Sequence, residues 1–231
     1  MVRKMKKKIV LLAIAGIFIL CYSIKDSFEK AITVFNNNDL VGITVVIDAG
    51  HGGVDPGSSR ANVIEDEINL SIAKKLERIL KEAGAEVIMI RDEDEDLAEE
   101  GASSKKQSDL QARVEIMNQE KVTFFISLHG NISLDNRVHG AQVYYQSDNE
   151  QSMIIAECVQ QALKQTTSSK FIIKKGDYYI LNNTVNPGIL VEYGFLSNAE
   201  EREKLKSEQY QEKIAYNIYE GIEAYLKKIK I

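Results

Sequence analysis

Cysteine is almost absent from this chain: there are two among 231 residues, Cys21 in an apolar N-terminal run and Cys158 in a predicted helix. A single thiol outside that run has no internal partner, so the fold is not held by a disulfide framework. Zinc knuckles made of cysteine pairs are excluded for the same reason. Any metal site in this protein must therefore be built from histidine and carboxylate side chains.

Histidine is nearly as scarce, with only His51, His129 and His139, and the compact H-E-x-x-H signature of helical zinc sites is missing. A phosphate-binding loop is also excluded, because no Gly-Lys-Ser/Thr follows the glycines around His51 and the G-x-G-x-x-G register fails at Asp55. What is present is ITVVIDAGHGGVDPG, residues 43–57, a buried-strand pattern that runs into a histidine among glycines. The pattern predicts that His51 lies on a tight loop at the end of a strand, where open α/β sheets place their ligand sites.

Acidic residues are missing from the first 24 positions, which hold five of the 29 basic residues and an uncharged run at residues 9–22. A basic start followed by an apolar run is the layout of a secretory signal peptide or a signal-anchor. We therefore predict that residues 1–24 contact the membrane and that residues 25–41 form a linker. Residues 42–231 are predicted to form one exported domain at the outer face of the membrane, either anchored or secreted.

The chain after this leader is acidic, because 24 basic residues against 34 acidic ones leave a net charge of −10. A domain of that charge repels phosphate backbones, which argues against a nucleic acid as a partner. Seven of the acids lie at residues 91–104, which we interpret as a solvated loop.

Apolar runs of strand length alternate with amphipathic segments of helix length from residue 43 onward. Strands are predicted at residues 43–48, 85–90, 122–128, 140–145 and 188–193, with two short candidates at 171–173 and 178–181. Helices are predicted at residues 66–83, 107–118, 152–165, 199–206 and 209–228. This alternation predicts a single α/β domain whose mostly parallel or mixed central sheet has about six strands and helices on both faces.

Four polar side chains stand at the ends of predicted strands or at the start of a predicted helix: His51, Glu65, His129 and Glu192. Each has an ordinary alternative explanation: an incidental turn residue, an acid favoured by the helix dipole, a satisfied core histidine and half of a buried salt bridge, respectively. Taken together, two imidazoles and one carboxylate are the ligands of a catalytic zinc site with an open fourth position. The remaining carboxylate can then take a proton from the water that the metal activates.

Four sequence blocks also carry a resemblance to a known family. The blocks VVIDAGHGGVDPG, EDEINL, SLHGN and ILVEYGFLSN occur in this order within residues 41–226. Their sequence resembles that of the zinc-dependent N-acetylmuramoyl-L-alanine amidases, the amidase_3 family. The resemblance implies one zinc ion held by His51, Glu65 and His129, with Glu192 as the catalytic carboxylate.

Other positions follow from the same resemblance. Arg91 and Asn131 fall on motif positions with structural or substrate-binding roles, whereas His139 falls on no ligand position and is interpreted as a loop residue. Two departures from the family pattern leave the ligands untouched: Gly130 stands where alanine is common, and Ala49 stands where proline is common.

The resemblance implies a peptidoglycan hydrolase that cleaves the amide between N-acetylmuramic acid and L-alanine of the stem peptide. A leader plus one domain, without wall-binding repeats, is similar to the layout of family members of the spore cortex. Their amide cleavage begins muramic-δ-lactam formation, which belongs to sporulation and germination. Peptidoglycan is then the substrate, and a protein activator is a candidate partner. Three alternatives remain open: a zinc peptidase or carboxypeptidase cutting within the stem peptide, a non-catalytic wall-binding module, and a membrane-anchored structural protein.

Overall fold

A computed structural model describes residues 40–229, in which short apolar runs form a six-stranded central sheet and a separate two-stranded hairpin. The predicted leader and nearly all of the predicted linker lie outside the described residues. The strands are β1 (Thr44–Ala49), β2 (Ser59–Arg60), β3 (Val63–Ile64), β4 (Glu86–Met89), β5 (Phe124–Asn131), β6 (Gln142–Tyr145), β7 (Lys174–Lys175) and β8 (Gly188–Phe195).

The order of the sheet is β4-β1-β5-β8-β6-β7, and β2 pairs with β3 in the hairpin. All neighbours in the sheet are parallel except β6 and β8, which are antiparallel. The prediction of a single α/β domain with a mixed sheet of about six strands is therefore confirmed. The hairpin was not predicted, because its strands have two residues each, too few to show a period in the sequence.

Six helices join these strands: α1 (Glu65–Glu82), α2 (Lys105–Met117), α3 (Glu150–Thr167), α4 (Tyr179–Asn183), α5 (Ala199–Leu205) and α6 (Glu208–Ile229). Gly84, with a φ of 94°, follows the end of α1, as the sequence predicted. Ser104 and Asn149 cap α2 and α3 by accepting hydrogen bonds from backbone N–H groups in the first turn. None of the helices within residues 40–229 is long and apolar enough to cross a membrane.

Helices cover both faces of the sheet, which confirms the predicted layering. The larger core cluster joins α1, α3 and α6 to the sheet face that carries Val45, Ile47 and Ile126. The smaller core cluster joins α2 and α4 to the opposite face, which carries Val46 and Phe125. The faces alternate along each strand because successive side chains point to opposite sides.

Two short strand predictions are wrong. Residues 178–181 belong to the entry and first turns of α4, where Ile180 and Leu181 are both buried in the smaller core cluster. Residues 171–173 have no regular structure, and the edge strand β7 begins just after them at Lys174. Three or four residues carry too little periodicity to separate helix, strand and loop, so tertiary contacts decide these segments.

Candidate metal centre

The carboxyl ends of the parallel strands β1, β5 and β8 meet at one edge of the sheet, and the predicted site residues lie there. The strand register places Asp48 opposite Ser127 and His129 opposite Glu192. All four side chains point to the sheet face that carries the smaller core cluster. Residues two or four apart on a strand share a face, and Val46, Phe125 and Leu190 of that cluster stand at this spacing from them. His129 and Glu192 are therefore side by side on neighbouring strands.

His51 reaches this edge on the loop that follows β1, where its backbone has a left-handed φ of 63°. Two glycines make room for the side chains around it. A Cβ atom on Gly50 would lie 2.2 Å from Cε1 of His129, and one on Gly57 would lie 2.7 Å from Cδ2 of His51. Since such separations are far below van der Waals contact, only glycine lets the backbone approach the two imidazoles this closely.

Three of the predicted residues form a cluster whose donor atoms all lie within 4.8 Å of one another: His51, Glu65 and His129. Oε1 of Glu65 lies 3.1 Å from Nε2 of His51 and 3.2 Å from Nδ1 of His129. The two imidazole rings meet edge to face, with centroids 4.9 Å apart. The structure thus brings together side chains from the β1 loop, the first residue of α1 and the end of β5.

The chemistry of this cluster fits a zinc ion. Two imidazole nitrogens and one carboxylate oxygen are the ligands of catalytic His₂Glu sites, and ligands about 2.1 Å from a tetrahedral ion are about 3.4 Å apart. Oε1 of Glu65 is 3.1 and 3.2 Å from the two ring nitrogens, close to that spacing. The other nitrogen of His51, Nδ1, lies 3.1 Å from Oδ2 of Asp55. A carboxylate partner of this kind fixes the tautomer and orientation of metal-binding histidines.

Glu65 is held in its charged form. Burial alone would raise its pKa, but hydrogen bonds and charges from His129 and His51 hold the pKa well below its usual range. Its two oxygens also accept backbone hydrogen bonds, Oε2 from the N–H of Ser58 at 2.8 Å and Oε1 from the N–H of Gly130 at 3.1 Å. These contacts fix the carboxylate in place, which a first-turn acid serving only the helix dipole would not require.

Glu192 lies beside the cluster, buried in β8 with 8% of its surface exposed. Its Oε2 is one of three buried side-chain polar atoms within residues 40–229 that have no hydrogen-bond partner. Burial raises the pKa of Glu192 to about 7, and the charge of Glu65 acts in the same direction, whereas His129 opposes it. The alternative of a buried salt bridge does not account for this unpaired oxygen. A carboxyl group poised near neutral pH suits a general base instead.

The cluster and Glu192 open into one cleft with a volume of about 380 Å³. Its apolar walls come from Leu110 in α2, Ile180 in α4 and Ile132 in the loop after β5. Tyr178 and Tyr179 also line the cleft, and Tyr178 interacts with Glu192. This volume lies within the usual range of small-molecule binding sites, and the floor of the cleft carries the titratable groups.

The other residues named from the sequence lie in different places. Asn131 lines the cleft, and its Oδ1 accepts a hydrogen bond from the N–H of Ile132 at 2.8 Å. Arg91 is buried outside the cleft, and its guanidinium donates to the carbonyl oxygens of Ala49, Gly50, Asp66 and Glu93. His139 is exposed in the loop before β6, with Nδ1 3.1 Å from the carbonyl oxygen of Arg137.

Sequence reasoning missed a buried ion pair beneath the site. Arg113 in α2 donates from Nη1 to Oδ1 of Asp48 at 2.5 Å, and both side chains are 2% exposed. The sequence does hold a signal for it: Arg113 lies in the apolar stripe of α2 between Leu110 and Met117, where an unpaired charge would be costly. A charged residue in such a stripe indicates a buried partner.

Comparison with known proteins agrees with this geometry. Residues 45–224 match the model of a protein family described as N-acetylmuramoyl-L-alanine amidase. The chain is 35% identical to the germination-specific N-acetylmuramoyl-L-alanine amidase of Bacillus subtilis strain 168, over 83% of this chain and 86% of that protein.

Solved structures of similar proteins share the fold. The CwlD amidase from Clostridioides difficile, solved in complex with the GerS lipoprotein, superposes with a TM-score of 0.77 at 36% identity, covering 80% of this chain and 99% of that one. The catalytic domain of CwlV, an N-acetylmuramoyl-L-alanine amidase from Bacillus (Paenibacillus) polymyxa, superposes with a TM-score of 0.69 at 34% identity, covering 80% and 98%.

Proposed function

This chain belongs to the N-acetylmuramoyl-L-alanine amidase family and is a peptidoglycan amidase, and we propose that it works with one zinc ion bound by His51, Glu65 and His129. The bond cleaved is the amide between the lactyl group of N-acetylmuramic acid and L-alanine of the stem peptide. The observation that carries the zinc proposal is the convergence of these three donors, within 4.8 Å of one another, at the floor of a cleft.

Neighbouring residues orient the proposed zinc ligands. A zinc ion at this position would supply a Lewis acid for the scissile carbonyl and make water nucleophilic near neutral pH. Asp55 orients His51 through Nδ1, which leaves Nε2 facing Glu65. The backbone N–H groups of Ser58 and Gly130 hold the Glu65 carboxylate against both rings.

Glu192 is the proposed general base and acid. Its unpaired Oε2 is free to take a proton from water in the cleft and to pass it to the departing amine of L-alanine. Transfer of the proton to the amine is required because an amide nitrogen leaves only after protonation. Burial raises the pKa of this carboxyl above its usual range, which favours a group that both accepts and donates a proton.

We assign Asn131 to substrate binding, because its side chain lines the cleft beside the donor cluster. The resemblance implies either a structural or a substrate-binding role for Arg91, and we propose the structural one. All its hydrogen bonds go to backbone carbonyls, and it is 2% exposed.

The bond specificity is tested by digesting purified peptidoglycan with the full chain and identifying the fragments by mass spectrometry. The expected products are glycan with intact lactyl groups and stem peptides with a free L-alanine amino group. Fragments cut within the stem peptide would identify a peptidase instead. Removing metal with a chelator should abolish cleavage and zinc should restore it; full activity of metal-free protein would contradict the zinc proposal.

A role in spore-cortex maturation is proposed from the relatives, of which one is named for germination and another is a CwlD amidase. The expected phenotype of a strain lacking the gene is loss of muramic-δ-lactam, measured by muropeptide analysis. The solved complex of CwlD with the GerS lipoprotein supports the proposal of a protein activator for this chain. Export with residues 1–24 as signal peptide or signal-anchor remains part of this proposal, as does the linker at residues 25–41.

A further inference from the structure

The loop that carries His51 has an unusual set of backbone partners. Three successive carbonyl oxygens, those of residues 49, 50 and 51, each accept a hydrogen bond from a side chain. Arg91 donates to the first two, and Arg113 donates to the first and third at 3.2 and 2.8 Å. Asn69 adds a bond to the Gly50 carbonyl at 2.8 Å. The N–H of Gly50 still pairs with the carbonyl oxygen of Leu128 in β5, whereas side chains satisfy the three carbonyl oxygens.

Arg113 is itself fixed on three sides. Its Nη1 donates to Oδ1 of Asp48 at 2.5 Å, and its Nε donates to Oδ2 of Asp109 at 2.8 Å. The second oxygen of Asp48 accepts a hydrogen bond from Oγ of Ser127 at 2.6 Å. The planar guanidinium can satisfy all these partners at once because its donors form a rigid fork. Its remaining nitrogen, Nη2, is thereby aimed at the carbonyl oxygen of His51.

We infer that Arg113 is a positioning residue, which fixes the backbone of His51 so that the imidazole faces Glu65 and His129. The inference rests on the proposed zinc site. His51 has a left-handed backbone, which is uncommon for a residue other than glycine and costs free energy that surrounding contacts must offset. Arg113 donates to the carbonyl oxygen of His51, so the contact stabilises the left-handed conformation at His51 itself. Arg113 lines the cleft, but its hydrogen bonds go to two carboxylates and two backbone carbonyls, so its action on the metal passes through His51.

The substitution that tests this role is Arg113→Lys in the full chain. A lysine keeps the positive charge that Asp48 requires, but one ammonium group cannot reach the carboxylate of Asp48, the carboxylate of Asp109 and the carbonyl of His51 together. Zinc affinity of the metal-free protein, measured by competition with a chromogenic chelator, should fall roughly 10- to 100-fold, the usual effect of losing an outer partner of a metal ligand. Turnover at saturating zinc should fall through kcat, with KM unchanged.

Arg78→Lys is the matched control, because Arg78 is a half-exposed arginine of α1 paired with Glu82 and Glu212. That variant should bind zinc as the wild type does. If Arg113→Lys fails to fold, as judged by near-ultraviolet circular dichroism, Asp109→Asn replaces it. That change removes one of the two carboxylates that orient the guanidinium, and zinc affinity should fall in the same direction by a smaller factor.

Two results would overturn the role of Arg113. One is a folded Arg113→Lys protein, or a folded Asp109→Asn protein in its place, whose zinc affinity is within twofold of the wild type. The other is a raised KM with unchanged zinc affinity, which would make Arg113 a substrate-binding residue. A wild-type protein that takes up no zinc would instead overturn the proposed metal site, so the two failures are distinguishable.

Discussion

Replacing Glu192 by glutamine removes the charge of this carboxylate while keeping its size and shape. The structure predicts opposite effects on activity and on stability. Catalysis should fall by about 10²- to 10⁴-fold in kcat, since that is the usual contribution of a general base. Zinc content should not change, because Glu192 is not among the three clustered donors.

The stability effect follows from the raised pKa of Glu192. The folded state binds the proton more tightly than the unfolded chain, because burial raises the pKa from 4.5 to about 7. Below the lower value the carboxyl is neutral in both states. As pH rises through this window the folded state must accept a buried charge, so the wild type loses stability with increasing pH. The full effect is about 3 kcal/mol, since one pKa unit corresponds to about 1.4 kcal/mol.

Glutamine carries no charge at any pH, so the Glu192→Gln protein should not lose stability in this way as pH rises. The free energy of unfolding of Glu192→Gln, relative to the wild type, should therefore increase by about 2 to 3 kcal/mol between pH 5 and pH 8. Urea unfolding of the zinc-free proteins at both pH values measures it. Zinc must be absent from the assay because a nearby cation would lower the pKa of the carboxyl.

Glu201→Gln is the matched control, a second buried carboxylate whose oxygens do have partners. Its Oε1 accepts from the N–H of Gly140 at 3.0 Å, and its Oε2 accepts from the N–H of Phe195 at 2.7 Å. An amide would turn an NH₂ group toward one of these donors, so this variant should lose about 1–3 kcal/mol. Equal pH dependence of stability in wild type and Glu192→Gln would refute the reasoning about Glu192. Wild-type turnover by the variant would refute its catalytic role.

Three further changes have defined outcomes. His51→Ala should lose zinc and activity together; zinc measured at one equivalent in the purified variant would remove His51 from the ligand set. Gly50→Ala should weaken zinc binding at least tenfold, because the new Cβ would overlap the ring of His129 at 2.2 Å; unchanged affinity in a chelator competition would contradict this. Arg91→Lys should destabilise the protein by about 1–3 kcal/mol through lost bonds to buried carbonyls and leave KM unchanged. A raised KM with normal thermal unfolding would instead place Arg91 at the substrate.

Local patterns in the sequence placed the candidate site residues at strand ends and at a helix start, and the family resemblance supplied their expected roles. Val45–Ile47 and Phe124–Ile126 are continuous apolar runs that end in a polar residue, which predicts buried strands with functional groups at their carboxyl ends. Glu65 is the first residue of a long amphipathic helix. These are patterns of neighbouring residues, and neighbours in sequence determine local conformation.

The tertiary structure alone decided what depends on contacts between distant segments. The pairing of Asp48 with Arg113 spans 65 residues, and the direction of β6 against β8 depends on a long connection. The need for glycine at position 50 arises from the ring of His129, far along the chain. Helix α4 forms where residues 178–181 are too few to show a helical or strand period in the sequence. In each case the energy that fixes the feature comes from burial and from hydrogen bonds formed only after the strands pair. A local sequence pattern does not specify contacts between distant segments. The sequence by itself therefore indicated the strands and the candidate donor residues, and the tertiary packing determined how these residues are held.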